Sequence, residues 1–156
     1  MKKTLCAIFI AMAILVSAVA VYTTVDNRTL KNTLSYFPEI DIFVPSGVAN
    51  EYENLVSFTF DDHRIWKYKL NSKESEKMNE ELKNSRWSEF TDNEKQEAVL
   101  YFPDEHRFDS FSEETYYCLY STVDGKFVSF SGPGVPRFLF IYDVPDQEYC
   151  CVSLTV

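Results

Sequence analysis

The chain has 156 residues, 46% hydrophobic and 16% aromatic, with a net charge of −9 and a pI near 4.7. That length suits one domain with a real core. Lys2 and Lys3 are the only charges before Asp26, so the remainder carries thirteen basic against 24 acidic residues, a net of −11, which argues against nucleic acid and against charge-driven binding to anionic lipid.

The first 25 residues carry the clearest signal. Two lysines precede a long uncharged stretch, the pattern of a segment handed to a membrane translocon. Two outcomes fit these residues. Leu5–Val25 is long enough, at ~1.5 Å per residue, to span a ~30 Å hydrocarbon core as a retained single-pass anchor. Alternatively Leu5–Ser17 is the apolar core of a signal peptide, and Ala18-Val19-Ala20 offers the small residues for cleavage after Ala20. In both, the lysines stay inside and the C-terminal part lies outside, at the cell membrane or secreted. The short Lys-Lys start looks bacterial, so Asn27-Arg28-Thr29 is not read as a glycosylation site.

Residues 26–46 are polar, then mixed, with breaks at Pro38, Pro45 and Gly47. They read as a tether, with an edge strand possible at Ile40–Val44, and 47–156 as the exported domain. Leu55–Leu70 alternates apolar and polar residues, the period of half-buried strands, with Asp61-Asp62-His63-Arg64 as a turn or a bulge. Asn71 and Glu74 form a capping-box pattern before a helix over 72–85. Met78 and Leu82 are its only apolar stripe, and Trp87 and Phe90 follow as a docking wedge. Thr91 and Glu94 repeat the cap signal, giving either a short helix over 92–97 or a turn feeding a strand at Ala98–Phe102.

The last forty residues read as hairpins. Asp124-Gly125 joins Tyr116–Val123 to Lys126–Ser131, and a two-residue turn there pairs Ser121 with Val128 and Leu119 with Phe130. Pro145-Asp146 joins Phe138–Val144 to Gln147–Val156. The fold class is therefore α+β: an N-terminal membrane segment, then a strand–helix–meander domain. Its antiparallel sheet has about five to six strands and one main helix.

Alternation divides the hairpins into two faces. Tyr117, Leu119, Val123, Val128 and Phe130 fall on one, with Leu139, Ile141, Cys150, Val152 and Leu154. Tyr116, Tyr120, Phe127, Phe138, Phe140, Tyr142 and Tyr149 fall on the other. So many aromatics are unusual on a solvated face: either the 26–54 segment or a helix covers them, or they form an interaction face for a protein or glycan. Cys118 and Cys151 share this face, so a disulfide between them is the expected bridge in an oxidising compartment.

Both histidines lie in similar strings, Asp61-Asp62-His63-Arg64 and Asp104-Glu105-His106-Arg107, which suggests a metal or acid–base pair. Their separation of 43 positions is unlike a zinc helix. No nucleophile elbow is present. Gly132-Pro133-Gly134 lacks the donors of a phosphate loop, and the acidic run near Asp104 lacks the spacing of a calcium loop. No cofactor is implied. The leading expectation is a non-catalytic exported binding domain. The alternatives are a small extracytoplasmic metal protein or hydrolase using His63 and His106, and an inhibitor or immunity-type protein.

Overall fold

The computed structural model describes residues 12–14, 29–56, 62–84, 86–99, 112–130 and 138–155. The expected membrane segment, apart from one helical turn at 12–14, lies outside the described residues, as does the cleavage position after Ala20. Among the described residues no helix is long and apolar enough to cross a membrane.

Among the described residues, seven strands form one antiparallel sheet: β1 (Glu51–Val56), β2 (Asp62–Lys69), β3 (Ser88–Glu89), β4 (Thr115–Ser121), β5 (Lys126–Val128), β6 (Phe138–Asp143) and β7 (Glu148–Thr155). Their order is β1-β2-β7-β6-β4, and β3 and β5 share the outer side of β4, β3 opposite Tyr116 and Tyr117 and β5 opposite Leu119, Tyr120 and Ser121. Three helices are described with them: α1 (Leu30–Leu34), α2 (Ser72–Glu81) and α3 (Asp92–Val99). The α+β class is thus observed, with a sheet slightly larger than expected.

Alternation along the strands makes both sheet faces apolar. One carries Trp66, Tyr68, Tyr120, Phe140, Tyr142 and Tyr149, with α2 and residues 30–49 packed over it. The other carries Ile65, Leu119, Leu139, Ile141 and Val152, with Phe90 and Ala98 at the start and end of α3 packed against it. The chain changes face at β3. Trp87 packs on the α2 side and Phe90 on the α3 side, so the expected wedge is split by a two-residue strand.

Residues 26–46 are not a tether where they are described. Leu30 is fully buried, and Leu34 and Ile40 are buried with it. Leu30 and Leu34 stand one helical turn apart on the inner side of α1, and Phe37 stacks edge-on against Phe138 at 5.1 Å. Residues 30–49 therefore form a strap that helps cover one core, and its polarity reflects only its outer side.

Local turn chemistry sets two further corrections. The β4–β5 connection is the four-residue loop 122–125, pairing Ser121 with Lys126 and Leu119 with Val128. Ser121 Oγ donates to the Asp124 carboxylate at 2.9 Å and accepts from the Asp124 amide at 3.2 Å, and Gly125 takes the left-handed conformation (φ 63°). The shift is two residues, so the strand side chains keep their expected faces, but Val123, expected on the Leu119 face, lies in the loop and is 70% exposed. Asp62, His63 and Arg64 belong to β2, with Asp62 opposite Val56, so they are strand rather than turn. The last hairpin has its expected register, with Gln147 N–H donating to Val144 C=O at 3.2 Å around Pro145-Asp146.

Candidate functional site

The expected interaction face is closed. Tyr120, Phe140, Tyr142 and Tyr149 are each no more than 1% exposed, and Tyr116 and Phe127 are half-buried against the same cluster. Tyr68, Tyr149, Tyr142 and Tyr116 follow one another across β2, β7, β6 and β4, a tyrosine row beneath the strap. Two of its hydroxyls hold the strap down. Tyr68 Oη accepts the Leu30 N–H at 3.0 Å, and Tyr149 Oη donates to the Phe43 carbonyl at 2.9 Å. Burial pushes the Tyr68 phenol up to about 12 and Tyr149 well above its ordinary range, so both act as neutral hydrogen-bonding groups.

The three described cysteines are free thiols. Cys118 and Cys151 do share a face, but Phe140 pairs with both, so one strand separates them. Two strand spacings put their Cα atoms about 9–10 Å apart, and a disulfide tolerates about 4.4–6.8 Å. The expected bridge fails because β6 lies between β4 and β7. Cys150 lies on the opposite face. Burial raises all three thiols above their ordinary range, only partly offset at Cys118 by the Arg86 charge. Thiols held protonated and buried are poor nucleophiles.

The side chain of His63 and the whole of His106 lie outside the described residues. Among the described residues, no group of three or more His, Cys, Asp or Glu side chains is arranged to hold a metal ion.

Three polar constellations were not anticipated as sites, and each has a structural task. The Asp143 carboxylate, 3% exposed, accepts from Thr115 Oγ1 at 3.0 Å and from the amides of Ser112 and Asp146 at 3.2 and 3.1 Å. It ties the β6–β7 turn to the start of β4, and its spacing to Asp146 was the local signal for part of this. Glu74 and Glu94 each divide their two oxygens. One oxygen of Glu74 closes the capping box with Asn71, and the other accepts from Ser46 N–H and Oγ at 3.0 and 2.7 Å. One oxygen of Glu94 binds Thr91, and the other accepts Tyr117 Oη at 2.5 Å. Burial raises both carboxyls, but these hydrogen bonds outweigh it and leave both below the ordinary value. The glutamates therefore pin α2 to the strap and α3 to the sheet.

The third constellation surrounds Arg86. Its guanidinium lies 3.9 Å from carboxylate oxygens of Glu81 and Asp41 and 5.2 Å from the Phe127 ring centre. This joins the end of α2, the strap and β5 through a cation–π contact and loose ion pairs. Burial lowers Lys67 on the sheet, but its bond to Glu51 at 3.2 Å more than compensates, so its pKa rises. Compared with family models, curated proteins and solved structures, the chain matches none.

Proposed function

We propose that this chain is an exported domain, held by Leu5–Val25 or released by cleavage after Ala20, that acts by surface contact with a protein or glycan and not by catalysis. One observation carries the non-catalytic part. The buried or half-buried groups that could do chemistry have structural tasks: Asp143, Glu74 and Glu94 accept structural hydrogen bonds, and Cys118, Cys150 and Cys151 are buried thiols. The export part is supported by the Lys2-Lys3 start and the uncharged stretch after it.

The sealed aromatic face moves the contact surface elsewhere. What stays outward includes α2's charged side, with Lys73, Glu76, Lys77 and Glu80 exposed. Fractionation of the native cells combined with intact mass tests the reading. It expects the full-length chain in membranes with its domain digestible from outside, or residues 21–156 outside the cell. Full-length chain dissolved in the cytosol overturns it.

A further inference from the structure

The folded unit begins very close to the apolar stretch. Leu30 is fully buried, and its amide is fastened to Tyr68, itself 3% exposed, so the chain is fixed from residue 30 onward. Val25 ends the uncharged stretch, leaving residues 26–29 as the whole connection. Four residues reach at most about 14 Å, at ~3.5 Å per residue. The tether that would let the domain roam is consumed by the strap.

The strap's outer surface there has a definite chemistry. Leu30 and Leu34 turn inward, and Lys31, Asn32, Ser35 and Tyr36 are exposed, Tyr36 at 82%. These are one cation, two hydrogen-bonding side chains and an amphipathic aromatic ring, with no carboxylate among them. Tyr and Lys are side chains that favour the membrane–water boundary. Tyr36 lies seven residues beyond Thr29, about 10 Å at helical rise, so this patch stays near the point where the chain leaves the apolar stretch.

We infer that, in the membrane-held form, the outer face of α1 rests on the lipid headgroups of the membrane that holds Leu5–Val25, with the sheet above it and α3 on the far side. The inference rests on the anchored reading above. The occupant is the headgroup zone, and the length of the connection determines this. The net charge of −11 after residue 25 opposes general adhesion to anionic lipid, so contact is confined to these four residues, with the exposed Glu39 and Asp41 farther along the strap.

The test uses the full chain in native membranes, in a Cys6→Ser background whose buried thiols stay unlabelled. A fluorophore is placed at Tyr36→Cys or at Gln96→Cys, an exposed position on α3. The two lie on opposite sides of the sheet, about 20 Å apart at layer spacings of ~10 Å. A headgroup-bound spin label supplies the quenching. The expected result is severalfold stronger quenching at 36 than at 96. Inserting a Gly/Ser linker of about 20 residues after Asp26, with a span of ~25 Å, should abolish that difference. Chain found in the membrane with equal quenching at the two positions overturns the inference while the anchored reading stands. A quenching difference that survives the insert also overturns it, because the short connection is then not what holds α1 down. Chain absent from the membrane overturns both.

Discussion

Tyr68 and Tyr149 show how single hydroxyls turn an apparent linker into core. Tyr68→Phe leaves the Leu30 amide without its acceptor in a buried place, an expected loss of about 1–3 kcal/mol. Tyr149→Phe removes a donor to the Phe43 carbonyl and should cost about 1 kcal/mol. Urea unfolding of the two variants measures both losses. The thiols make a second prediction. Cys118, Cys150 and Cys151 should resist alkylation in the folded domain and all react once it is unfolded, with no mass change on reduction. The sign of the acid response follows from Glu74 and Glu94, whose folded pKa values lie below 4.5. Their stabilisation is present above the unfolded value and is lost as pH falls through the folded ones. Glu148, raised by burial against the pull of Lys67 and Lys69, works the other way and is relieved by acid. Glu94→Gln should lower stability at neutral pH and flatten the decline as pH falls below the ordinary glutamate value, as followed by chemical unfolding through the acid range.

The starts of α2 and α3 were legible because their chemistry is local, whereas α1 has no side-chain cap to signal it. Asn71 accepts the amides of Lys73 and Glu74 at 3.1 and 3.0 Å, as the pattern required. Asn71→Ala should therefore cost about 1 kcal/mol, read as a lower denaturation midpoint with an unchanged slope. Strand faces were legible for the same reason: a period of two assigns Tyr117 and Leu119 to one face and Cys118 and Tyr120 to the other without knowing their neighbours. Turn length was less legible. Asp124-Gly125 suggested a two-residue turn, but Ser121 and Asp124 bond across a longer loop and shift the pairing by two residues. The β1–β2 pairing was placed too late in the chain, because Glu51 and Glu53 interrupt an apolar pattern that begins before Leu55.

At the scale of the whole molecule, strand order was not written in any short stretch. The insertion of β6 between β4 and β7 separates Cys118 from Cys151, and no local pattern reveals it. The strap was legible only as one of two covers for the aromatic face, and 26–46 also reads as a tether, because its inward residues, Leu30, Leu34 and Ile40, are spread among polar neighbours. Only the four-residue spacing of the first two hinted at a helix. The aromatic face was correctly located, but which part of the chain covers it became clear only in three dimensions. The central claim is that residues 30–49 complete the core over this face. The direct measurement compares a 29–156 fragment with a 47–156 fragment by near-ultraviolet circular dichroism and binding of a hydrophobic dye. The account predicts a cooperative, dye-free 29–156 domain and a 47–156 fragment that binds dye and lacks fixed aromatic packing. A 47–156 fragment that unfolds as cooperatively as the longer one and binds no dye would contradict it.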